Sequence, residues 1–261
     1  WLLHGFKPVE ELTDTLLNIA ELRELLPVFN NSGYPGLFKH VMEITQEEVN
    51  RILKPLIDSL NKIYESGEME KSSPDYWAVK AHKTFSSDGN IDRGIFSIYF
   101  FNLIHLKKGE GIFQAAGVPH AYLEGQNVEI MANSDNVLRG GLTTKQINVK
   151  ELMKHVKCEA TYPQILSPEA DNEGERKYET PVDDFRLSVF ELEAGDIVSF
   201  YPQQVETVLL TEGITEIDNE NDTIRLQAGS PAAVVFPGDK VYLAAAAKSF
   251  VFRASGRIHN R

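Results

Sequence analysis

The chain is short of sulfur and of positive charge. Its one cysteine, Cys158, cannot form an internal disulfide, and the lack of any C-x-x-C pair excludes a thiolate zinc site of the usual spacing. A lone thiol suits a reducing, cytoplasmic location. Twenty-six Lys and Arg stand against thirty-eight Asp and Glu, a net charge of −12. That balance argues against nucleic acid as a partner and leaves any anionic substrate to be met by local positive groups. No apolar run is long enough to span a bilayer, so no membrane partner is expected. The opening WLLHGFKP has no initiator Met, no basic n-region and no long apolar core, and does not read as a signal peptide. It reads as a strand entered midway, and the numbered chain is expected to start inside a larger protein.

What is present is ordinary core-building material. Hydrophobic residues make up 42% of the 261 and charged residues 25%, a soluble profile with enough chain for roughly two domains. Residues 8–85 read as helical. In PVEELTDTLLNIAELRELL, Val9, Leu12, Leu16, Ile19 and Leu22 or Leu26 fall on one helical face. NNSGYPGLF follows as a turn-rich linker. Thr45-x-x-Glu48 is a capping box that opens a second helix. Its stripe is Val49, Ile52, Leu53, Leu56, Ile57, Leu60 and Ile63, and Pro55 predicts a kink or break near Lys54. Ser73-Pro74 starts a third helix.

After the turn SSDGN the texture changes. IFSIYFFNLIHL is aromatic and β-branched, which reads as strand. GEGIFQ, HAYLEG, NVEIMAN and VLRGGL follow as short segments with close turns. NVKELMKHVKC (148–158) reads as one short helix, and Gly-punctuated strands resume at Asp183. The fold class expected is mainly β with an α-helical insert, built of β-barrel or jelly-roll domains, one incomplete at its N-terminus and one C-terminal. The expected boundaries are a strand remnant at 1–7, a helical domain at 8–85, a half-barrel with the candidate site at 86–158, a connector at 159–181 and a C-terminal domain at 182–261.

One stretch carries chemistry. Gly109, Gly117 and His120 fall on the spacing of the second cupin motif, with Ala115 where that motif has Pro and Glu124 where it has Asn. The glycines allow the chain to turn and reverse, and the His is then placed to meet a metal. A β-core carrying one buried His is the plainer alternative. PHAYLEG, followed by EIMANSDNVLRGGLTTK, closely resembles type I mannose-6-phosphate isomerase (phosphomannose isomerase), and HGFKP, FNLIHLKKGEGIF and TPVDDFRLS extend the likeness along the chain.

The resemblance implies a cupin-like catalytic barrel; the C-terminal region, with cupin-like glycines in TIRLQAGSPAAVVFPGDKVYL and no His before His259, reads as a metal-free cupin-like domain. It implies Zn2+ as cofactor with His120 as one ligand, and Arg139 as an active-site residue. Glu129, Asp135 and Lys145 would line the pocket of a small sugar phosphate. Of these, Arg139 and Glu129 are the catalytic candidates, and Lys145 and Asp135 the substrate-binding ones. Taken without the resemblance, Glu129 alternates with apolar neighbours and can face solvent, Asp135 can form a turn, and Lys145 can cap a loop. The implied reaction interconverts mannose 6-phosphate and fructose 6-phosphate through an enediol. The family's other zinc ligands come from a Q-x-H strand and a K-P-E motif. Neither occurs in the sequence, so both are expected upstream of residue 1, in a missing N-terminal segment acting as partner. His4 and His105 read as core-adjacent but match no ligand position. The rival reading is a degenerate cupin that binds a sugar phosphate or a partner and catalyses nothing.

Overall fold

A computed structural model of the chain describes residues 1–134, 136–219 and 221–256. Two compact units divide it, and each takes in separate stretches of sequence. The first comprises 1–107, 114–126 and 136–164, and the second 108–113, 127–135 and 165–261. In chain order the first carries β1 (Leu2–Phe6), α1 (Val9–Asn18), a 3-10 stretch (Ala20–Leu25), α2 (Leu26–Glu43), α3 (Gln46–Ser66), α4 (Pro74–Phe85), α5 (Ile95–Phe100) and β2 (Phe101–Ile104). Next comes β3 (Gly111–Ile112), which belongs to the second unit, then β4 (His120–Tyr122) and α6 (Val149–His155) of the first.

The helices form where burial and capping agree. Thr45 Oγ1 accepts from the Glu48 amide at 3.3 Å, and Gly67 closes α3 in the left-handed region at φ 78°. Pro55 does not break this helix. It sits on the solvent side, so one backbone hydrogen bond is lost where water can replace it, and buried residues on both sides hold the turns together. Ile63 leaves the stripe and is 48% exposed. Ser73 caps α4 as expected, its Oγ accepting from the Asp75 amide at 3.2 Å.

Three expectations fail, each for a reason of packing. The first long helix is two elements, because Ile19 turns extended and the chain continues as a tighter 3-10 stretch that buries Leu22 and Leu25. Val9 lies off the buried face, at 48% exposed. NNSGYPGLF is no linker: it lies inside α2, which kinks at Gly33 (φ 60°, ψ −162°). Burial of Tyr34, Leu37 and Phe38 overrides the turn composition, and the Tyr34 hydroxyl donates to the Lys7 carbonyl at 2.7 Å. IFSIYF is the wholly buried helix α5, and only Phe101–Ile104 is strand. A segment buried all round shows no periodicity to separate helix from strand.

The sheet of the first unit runs β2-β1-β4, all antiparallel. Leu3 pairs with Leu103 and Ala121, and these three pack on the helical core. Alternation therefore puts Leu2, His4, Asn102, Ile104, His120 and Tyr122 together on the other face.

The second unit continues with β5 (Ile165–Leu166), β6 (Glu175–Tyr178), β7 (Phe185–Leu192), β8 (Ile197–Phe200), β9 (Glu206–Glu212), β10 (Thr215–Asp218), β11 (Thr223–Leu226), β12 (Ala232–Val235), β13 (Val241–Ala245) and β14 (Ser249–Gly256). One sheet runs β11-β10-β13-β8, a second runs β12-β9-β14-β7-β6, and β3 pairs with β5. Phe190, Val208 and Val251 of the five-stranded sheet share one core with Phe200, Ile217 and Leu243 of the four-stranded sheet. No helix among the described residues is long and apolar enough to cross a membrane.

Candidate active site

His120 stands at the start of β4, exposed, with its ring nitrogen Nδ1 3.1 Å from the Val118 carbonyl. A carbonyl only accepts, so Nδ1 carries the hydrogen, and in the neutral ring Nε2 then has the lone pair. That is the tautomer a metal needs, and the Val118 carbonyl is the kind of partner that orients a ligating imidazole. The Tyr122 ring meets His120 edge-on at 6.1 Å, and its hydroxyl reaches toward Gln114 Oε1 at 3.4 Å. Gln114 Nε2 is buried without a partner.

Directly across the sheet from His120 stands His4, only 4% exposed. Neither of its ring nitrogens meets a partner at hydrogen-bonding geometry. A buried polar group left in that state costs about 1–3 kcal/mol. Burial pushes the His4 pKa down, and the neighbouring His120 adds to the effect. Glu124, which stands where the cupin motif has Asn, works as a clamp. Its carboxylate takes Lys71 and Lys80, which hold its pKa at about 2, and its carbonyl accepts from the Trp1 amino group at 2.8 Å.

Arg139 is half-buried on a loop without regular structure, and that loop is fixed at its far end. Asp92 Oδ1 accepts from the Gly94 amide at 2.7 Å and from the Leu142 amide at 2.9 Å, tying the loop to the start of α5. Gly94 and Gly141 meet with no room for side chains. A Cβ on Gly94 would lie 2.3 Å from Leu142 N and 2.7 Å from the Gly141 carbonyl carbon. Gly94→Ala is therefore expected to displace the loop at a cost of about 1–3 kcal/mol. Faster hydrogen exchange at the Leu142 amide is the direct reading, and unchanged protection there would show that this contact does not hold the loop.

The other sequence candidates fall as follows. Lys145 is exposed in the first unit, its amide bonded to Thr143 Oγ1 at 3.1 Å. Glu129 is exposed and belongs to the second unit. Asp135 lies outside the described residues. No hydrogen bond or ion pair joins His120, Arg139 and Lys145 to one another. Among the described residues no three His, Cys, Asp or Glu side chains converge to hold a metal. Asp92, Gly94, Gln114 and the pairing of His4 with His120 escaped the sequence reading; all but Gln114, whose contact with Tyr122 is local, act through contacts made across long stretches of chain.

No family model matches the chain. It is 33% identical to the mannose-6-phosphate isomerase of Shigella flexneri over 98% of this chain and 61% of that protein, and likewise to that of Escherichia coli K12. The chain thus spans about three fifths of the length of these curated relatives. Its fold matches the apo crystal structure of mannose 6-phosphate isomerase from Salmonella typhimurium with a TM-score of 0.79 at 25% identity, over 98% of this chain and 64% of that one. It matches equally a structure of the Salmonella protein bound to fructose 6-phosphate and zinc, with a TM-score of 0.79 over 63% of that chain.

Proposed function

We propose that the chain belongs to the mannose-6-phosphate isomerase family, as its likeness to those relatives over 98% of its length supports, and that it carries part of the active site of a zinc-dependent enzyme interconverting mannose 6-phosphate and fructose 6-phosphate. The observation that supports this most is His120: it is the histidine of PHAYL, and with Nδ1 turned to the Val118 carbonyl its Nε2 is the nitrogen a metal would take. His120 would hold the zinc, with the remaining ligands supplied by residues outside these 261. When bound, zinc supplies a Lewis acid for the sugar's carbonyl and neighbouring hydroxyl oxygens.

The chain's own residues do the rest of this chemistry. Isomerisation moves a proton between C1 and C2 and places negative charge on oxygen in the enediolate. Arg139, always charged and donating in a fixed fork, stabilises that oxygen. Glu129 is the candidate for moving the proton. Lys145 and Asp135 are assigned to the sugar phosphate, Lys145 as the positive group that an acidic protein must supply locally. A cytoplasmic location is part of the reading: a single cysteine, with no partner for an internal disulfide, suits a reducing compartment.

The test is zinc content and isomerase activity of the 261-residue chain, alone and extended by any coding sequence upstream of Trp1. Activity and stoichiometric zinc in the extended form, with zinc lost in His120→Ala, are expected. Neither zinc nor turnover in either form would leave the degenerate, non-catalytic cupin instead.

A further inference from the structure

We infer that Asp92 is a positioning residue for the reaction: it fixes the loop that presents Arg139 and makes the helical insert the platform on which that loop is set. This rests on the reading of Arg139 as the group that meets the enediolate oxygen. Arg139 stands in VLRGGLTT, a stretch with no helix or strand of its own. A guanidinium that must meet one oxygen loses most of its effect when misplaced by about 1 Å, so contacts from outside the stretch must hold it. Asp92 supplies one. Its Oδ1 accepts from the Leu142 amide at 2.9 Å and from the Gly94 amide at 2.7 Å, so a single oxygen joins the loop to the turn before α5. Leu142 has φ 52°, in the left-handed region that a bulky side chain rarely adopts. A residue stays there only where its surroundings over-determine it. Here the carboxylate holds its amide and the helical core holds its side chain. Gly140, next to Arg139, is seated as closely: a Cβ there would stand 3.3 Å from Leu152 and 3.5 Å from Phe38.

Whether that hold is firm depends on what Asp92 is itself attached to. Residues 91–93 are bonded to three helices of the insert. The Ile91 amide donates to Asn50 Oδ1 at 2.9 Å and its carbonyl accepts from Gln46 Nε2 at 2.8 Å, both from the start of α3. The Asp92 amide donates to Ser86 Oγ at 3.1 Å, at the end of α4. Arg93 Nη1 donates to the carbonyls of Met42 and, at 3.2 Å, of Ile44, which closes the C-terminal end of α2. The main chain on either side of Asp92 is thus committed to the insert, while its carboxylate turns to the loop. An aspartate that merely formed the turn would need the Gly94 amide alone. The bond to Leu142, fifty residues further on, is what carries the rigidity of the helices to the neighbourhood of Arg139.

The experiment is a double-mutant cycle of Asp92→Ala and Arg139→Ala, read as turnover and KM for mannose 6-phosphate in the upstream-extended form, with hydrogen exchange at the Leu142 amide in the 261-residue chain. Alone, Asp92→Ala is expected to lower turnover by about tenfold or more with KM little changed, and to speed Leu142 exchange while the amides of α3 stay protected. In the Arg139→Ala background the same change is expected to cost less than about twofold, because a positioning residue then has nothing left to position. Asp92→Asn, which keeps an oxygen acceptor for both amides, is expected to retain most of the turnover. Equal losses in the two backgrounds would make Asp92 a residue of general stability and overturn the inference, as would unchanged turnover in Asp92→Ala. Should Asp92→Ala fail to fold, Asp92→Glu, which keeps the charge and sets the acceptor one methylene further out, takes its place in the cycle. An extended form without isomerase activity of its own would instead remove the reading of Arg139, and the role of Asp92 in the reaction with it.

Discussion

Arg253→Ala is expected to destabilise the second unit by about 3–5 kcal/mol, because it leaves the buried Glu206 carboxylate without its cation and takes one of two cations from the buried Glu175. Arg253 lies at the meeting of β6, β9 and β14. Its Nη1 donates to Glu175 Oε1 at 2.6 Å, and its Nη2 and Nε donate to Glu206 Oε2 at 2.7 and 3.0 Å. Side-chain exposure is 12% for the arginine and 7% and 5% for the two glutamates. The guanidinium also stacks on Phe200, 3.7 Å from the ring centroid, which links the five-stranded sheet to the four-stranded one. Glu175 keeps the Ser188 hydroxyl at 2.5 Å and Lys177 at 3.4 Å, whereas the partner left to Glu206 is the neutral Gln203 amide at 3.4 Å, which does not replace a cation.

Exposed pairs in the same unit, such as Lys248 with Glu193 at 2.6 Å, contribute little, because water and salt screen them. The contrast between Arg253→Ala and Lys248→Ala isolates burial as the cause. The probe matters here. Trp1 and Trp77 both belong to the first unit, so tryptophan fluorescence does not report on this triad. Amide hydrogen exchange in β7, β9 and β14 does. A loss below about 1 kcal/mol would mean that the carboxylates are relieved by water or by protonation, and that the triad is not a buried charge network.

How far the fold could be read from the residues depended on whether local pattern and burial agreed. In α3 they agree: the cap, the apolar stripe and the closing glycine all point the same way, and a single proline on the wet face did not change the outcome. The strands of the second unit were legible for the same reason. In β13 the buried residues Val241, Leu243 and Ala245 alternate with less buried ones, and turn glycines separate the strands. In α2 the two disagreed. NNSGYPGLF has the composition of a turn, yet Tyr34, Leu37 and Phe38 are claimed by a core that includes Phe6 and Phe101, residues distant in the chain.

The candidate site divides along the same line. His120 and Arg139 stood out because their surroundings are compressed into short motifs, PHAYL and DNVLRGGLT. Asp92 and Gly94 did not, since an acid and a glycine before a helix look like any turn. Their importance lies in the Leu142 amide and Gly141 backbone, which come from some fifty residues further on. His4 is the plainest case. Nothing beside it in WLLHGFKP announces a partner, and only strand register brings it opposite His120.

Arg139→Ala, measured in the form of the protein that carries activity, is expected to lower turnover by about 10²–10³-fold with a much smaller change in KM. The asymmetry follows from when the charge is needed. The open-chain sugar is bound with a neutral carbonyl, and negative charge grows on oxygen only as the enediolate forms, so a guanidinium aimed there gains most in the transition state. The loop itself should survive the change. Its anchors are the Asp92 carboxylate, the Gly94–Gly141 contact and the packing of Leu142 against the helical core, none of which involves the arginine side chain. Thermal stability is therefore expected to be unaltered in Arg139→Ala, whereas Gly94→Ala, which leaves the arginine in place, is expected to lower stability. A raised KM with turnover unchanged would assign Arg139 to holding the phosphate, whose charge is the same in substrate and transition state. Arg139→Lys separates the two roles further: a phosphate site accepts an ammonium as a point charge, while an oxyanion met by a planar fork of donors does not.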